Sequence, residues 1–363
     1  MNSSDFKIET LIQKDKNLIF LAGAGCSIDA PSCQPAGNKM MNLIIEFLCV
    51  ESEQEKILKI DSLRFESIVQ IFQECLDEKL KIIDYYALCD KPNLQHKFLA
   101  KMTEAGHLII TTNFDNLIEH ALLQQGIDEK NIIPVITEED FIGYSKINEH
   151  IQKDKRIIIK IHGSSKNIIT KKDTKDTLIA SIKALGLRKP GENIFQIENF
   201  KKKLIENAVR NRSLVILGYS GSDDFDIFPM LKILKNLCDI IWINHMNIDI
   251  PQMKVQIIDD NYKRSLKSHT KIDKILLDLY HASNARNIYR IDINTTKLIE
   301  YLMKIKPILT NNNFSIKPEE YFSKKIKKPD EIIQYFVPYL IYYQYNRYED
   351  AKRCAIKALE LAE

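Results

Sequence analysis

Short, nearly continuous hydrophobic runs recur along the first three hundred residues of the chain. Each run is five or six residues long, is rich in Ile, Leu and Val, and ends in small or polar residues. Strands that are buried on both faces have this pattern, and they belong to parallel sheets covered by helices. The pattern predicts strands at residues 17–22, 107–112, 156–161, 213–218, 239–244 and 287–292.

Helical patterns separate these runs, for example at residues 194–211 and 225–238. The alternation of strands and helices predicts an α/β protein with a doubly wound, mostly parallel, Rossmann-like sheet. Residues 38–103 lack strand-like runs, and their apolar side chains recur at approximately helical spacing. We therefore expect a helical insertion between the first two strands.

The rest of the chain predicts loops and a second helical part. The Lys-rich residues 166–191 have no clear period, which indicates an exposed loop or a lid over the sheet. The polar residues 307–329 are expected to form a linker. The first domain would then span residues 1–306, and a helical segment would span residues 330–363.

This C-terminal helical segment resembles the second half of a tetratricopeptide repeat, with Tyr348, Ala351 and Ala358 at the matching positions. A single repeat cannot cover its own apolar face. Three interpretations stay open. The sequence continues beyond Glu363 as a longer repeat protein, the end of the chain packs on a partner, or a helical hairpin docks on the first domain.

Composition and charge exclude several classes of protein. Apolar residues make up 45% and charged residues 28% of the 363 residues, as in an ordinary globular protein. The net charge of +3 is too balanced for a nucleic-acid or membrane-surface binder. The N-terminus has no signal-peptide core, and no apolar run approaches the roughly 18 residues of a membrane span. We expect a cytoplasmic protein.

The seven cysteines contain no Cys-x-x-Cys pair, and their number is odd. A zinc ribbon would have no ligands, and a disulfide framework is disfavoured, so reduced thiols and no metal are expected.

A glycine-containing turn follows the first predicted strand directly. Two glycines at a strand end let the backbone turn tightly and approach a ligand closely, and the N-terminus of a following helix suits phosphate oxygens. The third glycine of the usual dinucleotide fingerprint is replaced by Ile28, so a plain strand-to-helix turn stays open. The turn consists of Gly23, Ala24, Gly25, Cys26 and Ser27.

Polar groups also follow the next four strands of the first domain. Ligands of an open α/β sheet bind beyond the carboxyl ends of its strands, so these groups are expected to meet in one crevice. Taken singly, each has a structural alternative as a helix cap, a turn residue or a buried histidine. The groups contain Thr112, Asn113 and Asp115 after the second strand, His162 after the third, Gly218, Ser220 and Asp223 after the fourth, and Asn244 at the end of the fifth.

The motifs GAGCS, TNFD, KIHGS, GYSGSD and WIN occur in the order and strand context of the sirtuin (silent information regulator) family. Over residues 15–300 the chain most closely resembles the sirtuin-like domains of bacterial antiphage defence proteins. The resemblance implies NAD as the substrate. The glycine turn would hold its pyrophosphate, Asn113 and Asp115 would line the nicotinamide-ribose pocket, and Gly218, Ser220 and Asn244 would contact the adenosine half. Thr112 and Asp223 are further candidate NAD-binding residues.

The resemblance also implies catalytic roles. His162 would be the base that deprotonates a ribose hydroxyl or water, and Asn113 would orient the ribose or the water. Asp115 would either stabilise developing positive charge or hold the loop, and we favour the second role. Cys26 lies beside the turn without a Cys-His pairing in the sequence, so packing is expected for its thiol.

The chain departs from deacylating sirtuins in two places. It lacks their four-cysteine zinc ribbon, and the place of their Gly-Ile-Pro-Asp-Phe-Arg stretch is taken by APSCQPAG at residues 30–37. Hydrolysis of NAD⁺ to ADP-ribose and nicotinamide needs neither feature. The alternatives are a protein deacylase or ADP-ribosyltransferase, and a non-catalytic module that senses NAD or ADP-ribose.

The expected function is therefore an NAD⁺ glycohydrolase that depletes NAD in antiphage abortive infection. Such an enzyme must be silent until triggered. The resemblance implies control by homo-oligomer assembly, or by a phage protein or partner subunit that contacts the C-terminal helical segment. No nucleic-acid or membrane contact is expected.

Overall fold

The fold is built on one eight-stranded sheet. The computed structural model describes residues 7–13, 17–61, 63–181, 197–221, 227–234, 236–266, 268–305 and 312–363. The strands are Leu18–Ala22 (β1), Leu108–Thr111 (β2), Ile132–Val135 (β3), Arg156–Lys160 (β4), Arg212–Leu217 (β5), Leu237–His245 (β6), Lys254–Ile257 (β7) and Asn287–Ile293 (β8). Their order is β3-β4-β2-β1-β5-β6-β8-β7, and only β7 runs antiparallel to its neighbour. The predicted Rossmann-like sheet is confirmed.

The six strands predicted from hydrophobic runs correspond to β1, β2, β4, β5, β6 and β8. The sequence pattern missed the two edge strands, β3 and β7. Each has only four residues; β3 contains Pro134, and β7 alternates Lys and Gln with apolar residues. Short edge strands with polar residues or proline do not form a continuous apolar run, so periodicity does not reveal them.

Helices cover both faces of the sheet. Ile19 and Leu21 of β1 belong to one apolar cluster, whereas Leu18, Phe20 and Ala22 belong to the other. The helices along this part of the chain are Leu94–Glu104 (α5), Leu117–Gln124 (α6), Glu138–Gly143 (α7), Ile147–Gln152 (α8), Asn199–Val209 (α9), Ile227–Ile233 (α10), Asp260–Ser265 (α11), Lys271–Ala282 (α12) and Thr295–Met303 (α13). Within the described ranges, no helix combines the length and the apolar character needed to cross a membrane.

A second body of helices lies beside the sheet, and we refer to it as the helical lobe. It contains helices from two distant parts of the chain. These are Gly37–Leu48 (α1), Glu51–Leu58 (α2), Phe65–Cys75 (α3), Lys81–Asp84 (α4), Pro318–Lys325 (α14), Glu331–Gln344 (α15) and Tyr348–Ala362 (α16). They share one apolar core, in which the rings of Phe47, Phe72 and Phe322 meet at centroid distances of 5.7–6.5 Å.

The C-terminal helices α15 and α16 form a hairpin that docks on the insertion helices. Glu53 of α2 is buried, and it accepts hydrogen bonds from the Tyr342 hydroxyl (2.8 Å) and from Arg353 (2.7 Å). The region expected to be a linker differs from that expectation, because it contains α14 with Tyr321 and Phe322 buried. Because most other residues of this helix are polar, the sequence pattern did not indicate that these two aromatic side chains are buried. The tetratricopeptide assignment of the hairpin stays a prediction.

The segment after β4 packs more closely than the expected exposed loop. Residues 166–181 are described, and residues 182–191 lie outside the described part. The Thr174 hydroxyl donates to the Ser164 carbonyl (2.6 Å), and the Ile179 amide donates to the His162 carbonyl (3.0 Å). Residues 178–181 are buried. Hydrogen bonds to Ser164 and His162 therefore hold the segment against the end of β4.

Candidate functional site

A cavity of about 660 Å³ opens at the carboxyl ends of β1, β2, β4 and β5. This is the edge at which an open α/β sheet binds ligands. The sequence pattern predicts that polar groups after five strands meet in one crevice, and groups after four of these strands line this cavity. Of the predicted site residues, those that line the cavity are Ala24, Gly25, Ser27, Thr112, Asn113, Asp115, His162, Gly218 and Ser220.

The glycine turn after β1 packs directly against the loop after β5. The Gly25 amide donates to the Gly218 carbonyl (2.8 Å), and a Cβ on Gly25 would lie 2.8 Å from Gly218 Cα. Gly218 has φ +64°, and a Cβ there would lie 2.5 Å from the Cys26 amide nitrogen. Both glycines are therefore required by close backbone contact between the two loops, whether or not a ligand is bound.

The turn leads into a 3₁₀ helix of only four residues, Ala24–Ser27, rather than into a long helix. The expected phosphate-binding helix end is therefore short at this place. The twelve-residue helix α1 supplies another one, because Ala36, Gly37 and Asn38 line the cavity. No side chain caps its N-terminus, so its first amides are suited to an anion.

Asn113 lies in the loop after β2, and its carboxamide is held by two neighbours. Its Nδ2 donates to the Gly23 carbonyl (3.2 Å) and to Ser27 Oγ (3.2 Å). A carbonyl can only accept, so Nδ2 must face Gly23, and Oδ1 is the other atom of the group. This oxygen is buried and has no hydrogen-bond partner. The arrangement leaves one strong acceptor without a donor, on a residue that lines the cavity.

Both oxygens of Asp115 are engaged within the protein. Oδ1 accepts from the Leu117 amide (3.0 Å) at the start of α6, and Oδ2 accepts from the Ser27 hydroxyl (2.8 Å). Ser27 Oγ also lies 3.1 Å from Nε2 of the buried His96. These contacts support the loop-holding role that we favour for Asp115.

A buried lysine ties the two loops that carry Asn113 and His162. Lys160 in β4 has no exposed side-chain surface, and its Nζ contacts the Asp115 carbonyl, Asn116 Oδ1 (3.1 Å) and Glu119 Oε1 (3.3 Å). The hydrophobic pattern places Lys160 in a strand but does not indicate which groups its side chain contacts. These hydrogen bonds and the ion pair hold the loop after β2 in position relative to β4.

His162 lies at the end of β4 and is 9% exposed. Its ring lies 6.3 Å from the ring of Phe114, and its carbonyl is held by Ile179. The buried Lys201 donates to the preceding carbonyl of Ile161 (2.6 Å). The imidazole therefore lies on a backbone that is fixed from two sides.

Residues 107–237 match the family model of the SIR2-like domain. This part of the chain is similar to a SIR2-like domain. The matched residues include the loops of Asn113, His162 and Gly218, whereas the glycine turn and the C-terminal helices lie outside the match. A SIR2-like domain supports an NAD-related function. A search of curated proteins finds no match to the chain.

Three of the predicted NAD-binding residues, Gly23, Cys26 and Asn244, are not among the residues that line the cavity. The Gly23 amide donates to the Leu217 carbonyl (3.0 Å), and the buried Cys26 thiol approaches the same carbonyl (3.5 Å). Burial raises the pKa of this thiol, which fits packing better than reactivity. Asn244 donates to Asp292 (2.7 Å) in a network between β6 and β8. Asp223 lies outside the described residues.

The helical lobe contributes a second wall, which sequence analysis did not predict. Asn38, Arg64, Phe65, Glu66 and Tyr86 line the cavity opposite the strand-end loops. The Arg64 amide donates to the hydroxyl of Tyr345, the residue that follows α15 in the C-terminal hairpin (3.1 Å), so this wall is attached to the hairpin. Lys271, at the start of α12, also lines the cavity.

The residues that line the cavity fit NAD. The buried Asn113 Oδ1 lacks a donor that a ribose hydroxyl would supply, and the α1 terminus offers amides for phosphate. In the described part of the chain, no group of three or more His, Cys, Asp or Glu side chains is arranged to hold a metal. The expected absence of a metal stays a prediction.

Proposed function

We propose that the SIR2-like domain is an NAD⁺ glycohydrolase, which cleaves NAD⁺ to ADP-ribose and nicotinamide. The observation that carries the proposal is the pairing of His162 with Asn113 at one cavity, where Asn113 Oδ1 is buried and lacks a donor. A module that only binds NAD would not require an imidazole and this oriented carboxamide at the same cavity. The cavity also offers backbone amides for a diphosphate at the start of α1.

The chemistry requires little beyond orientation and one base. Nicotinamide leaves NAD⁺ as a neutral group, so no general acid is needed, and the transition state resembles an oxocarbenium ion. In the proposed mechanism, Asn113 Oδ1 accepts a hydrogen bond from a ribose hydroxyl and fixes the ribose. His162 removes a proton from a ribose hydroxyl or from the attacking water. Asp115 keeps the Asn113 loop in place.

We further propose that this activity belongs to a regulated effector, which depletes NAD during antiphage defence. The support is the resemblance of the motifs to sirtuin-like defence domains. The attachment of the cavity wall to the C-terminal hairpin through Arg64 and Tyr345 offers a physical route for control. Homo-oligomer assembly, or binding of a phage protein or partner subunit to the hairpin, is the proposed trigger.

Product analysis tests the enzymatic proposal. The intact protein is incubated with NAD⁺ over a range of protein concentrations, and nicotinamide and ADP-ribose are quantified by chromatography and mass spectrometry. We expect turnover without an acylated peptide, and its loss in His162→Ala and Asn113→Ala. His281→Ala is the matched control, because His281 is exposed and does not line the cavity.

Three other outcomes would contradict the glycohydrolase function, and a fourth would refute the assigned site. Turnover only with an acyl-lysine peptide would indicate a deacylase, and transfer of ADP-ribose to a protein would indicate a transferase. Binding of NAD⁺ without turnover at any protein concentration would indicate a sensing module. Wild-type turnover in both His162→Ala and Asn113→Ala would refute the assigned site.

A further inference from the structure

His96 is a buried histidine that does not line the cavity, and the mechanism above does not use it. It lies in the first turn of α5 and is 1% exposed. Its two ring nitrogens have different partners. Nδ1 faces the Asn93 amide at 3.2 Å, and Nε2 faces Ser27 Oγ at 3.1 Å.

The partners determine where the proton of the ring lies. A backbone amide can only donate, so Nδ1 must accept and carries no proton. The proton of the neutral ring is therefore on Nε2, which donates to Ser27 Oγ. Burial lowers the pKa of His96 to about 4, so the ring stays neutral at physiological pH.

The direction of the remaining hydrogen bonds follows from this tautomer. Ser27 Oγ accepts from His96 Nε2 and from Asn113 Nδ2, and its single proton is donated to Asp115 Oδ2. The hydroxyl is thereby fixed in one orientation. A histidine outside the cavity thus acts through Ser27 on both Asn113 and Asp115.

These residue types are those of a Ser-His-Asp triad, but their order excludes a nucleophilic serine. In a triad, the imidazole accepts the serine proton and the carboxylate holds the other ring nitrogen. Here the carboxylate of Asp115 binds the serine, and His96 Nδ1 binds a backbone amide. His96 has no free lone pair toward Ser27, so it cannot act as its base.

We propose that His96 is a positioning residue, which acts through Ser27 to orient the Asn113 carboxamide and the Asp115 carboxylate. The proposal deepens the proposed NAD⁺ glycohydrolase function and, for its activity readout, rests on it. Asn93 completes the arrangement, because its side chain holds the Cys26 and Asp29 carbonyls at 2.8 and 3.2 Å. The start of α5 is therefore attached to the glycine turn.

Two substitutions separate positioning from helix capping. In His96→Gln the side-chain amide can replace Nε2–H as donor to Ser27, whereas in His96→Asn the shorter side chain can replace only Nδ1 as acceptor for Asn93. Both variants are measured for thermal unfolding and for nicotinamide release from NAD⁺. The pair serves as its own control, because each variant keeps one of the two hydrogen bonds.

We expect His96→Asn to lower kcat by at least about tenfold while KM changes by less than about threefold, because a misoriented group impairs the reaction more than binding. His96→Gln should stay within about threefold of the wild-type kcat. Equal kcat values in the two variants, or a larger loss in His96→Gln, would overturn the proposal.

A second measurement does not depend on turnover. In protein labelled with ¹⁵N-histidine, two-bond ¹H–¹⁵N correlation spectra report which ring nitrogen carries the proton. We expect His96 to be protonated on Nε2 alone from pH 6 to 8. In protein labelled with ¹⁵N-asparagine, we expect the Asn113 side-chain amide resonances to shift in His96→Asn but not in His96→Gln. A proton on Nδ1, or unshifted Asn113 resonances, would overturn the proposal. If the wild-type enzyme released no nicotinamide while these spectra held, only the glycohydrolase function would fail.

Discussion

The two walls of the cavity are built in different ways. The strand-end wall consists of loops after β1, β2, β4 and β5, and short motifs supply its residues, such as Asn113 and His162. The opposite wall belongs to the helical lobe, where Arg64 contacts Tyr345 across 281 positions of sequence. The sheet determines the position of one wall, whereas the packing of helices that are far apart in the sequence determines the position of the other.

The two walls also differ in how far their ion pairs are exposed to solvent. Beneath the strand-end wall, Lys160 and Glu119 form an ion pair with 0% and 2% exposure of their side chains. In the helical lobe, Arg353 reaches the buried Glu53 but is itself 48% exposed. Removing a partner from a fully buried pair leaves an uncompensated charge, whereas water can replace an exposed partner. The strand-end wall should therefore tolerate less change.

The largest expected effect comes from these two ion pairs. Lys160→Met leaves Glu119 buried without its cation, and we expect the free energy of unfolding to fall by about 3–5 kcal/mol. Arg353→Met is the matched substitution in the lobe, where the loss should stay below about 1 kcal/mol. Denaturant titration measures both values.

A double variant keeps this test decisive. Lys160→Met combined with Glu119→Leu removes both buried charges, and it should recover part of the stability lost by Lys160→Met alone. Equal losses in Lys160→Met and Arg353→Met would contradict the contrast between the two walls.

Much of the strand-end wall could be predicted from the sequence, for a physical reason. Parallel strands that are buried on both faces produce continuous apolar runs, and their carboxyl ends meet at one edge of the sheet. Asn113, His162 and Gly218 could therefore be assigned to one crevice before any coordinates. The same argument is not sufficient for Asn244, because its side-chain amide donates to Asp292 and the residue does not line the cavity.

The helical lobe could not be predicted in the same way. Amphipathic periodicity reveals that α1, α3 and α15 have apolar faces, but it does not reveal which faces meet. Tyr321 and Phe322 lie between exposed lysines and glutamates, so their segment resembled a linker. The His96–Ser27 contact has the same origin, since it depends on how α5 meets the glycine turn.

Lowering the pH should destabilise the sheet more than the helical lobe, because all eight histidines lie outside the helices of the lobe. Burial lowers the pKa of both His96 and His107 to about 4, and Arg212 adds to the shift at His107. The unfolded chain binds these protons near pH 6.5, so stability is retained above this pH and lost as the pH falls toward 4. We expect each ring to cost about 2 kcal/mol at pH 5.

Hydrogen exchange at pH 7 and pH 5 measures which helices and strands lose stability. After correction for intrinsic rates, amides of β1 and β2 should lose protection, whereas amides of α15 should change less. His96→Gln should reduce the pH dependence, and His281→Gln, at an exposed position, should not. Equal loss of protection in the sheet and the lobe would show that the two regions unfold together.

The smallest expected effect tests whether the lobe wall depends on the C-terminal hairpin. Tyr345→Phe removes the hydroxyl that accepts from the Arg64 amide, and we expect a loss of about 1 kcal/mol in the free energy of unfolding. Because Arg64 and Glu66 line the cavity, NAD⁺ affinity should also fall, by about threefold. Tyr348→Phe is the matched control, since its hydroxyl contacts only Asn346 in the same hairpin (2.7 Å). Calorimetric titration with NAD⁺ compares the two variants. Equal affinities would mean that the hairpin stabilises the lobe without setting the position of the wall, and the proposed route for control would then have to lie elsewhere.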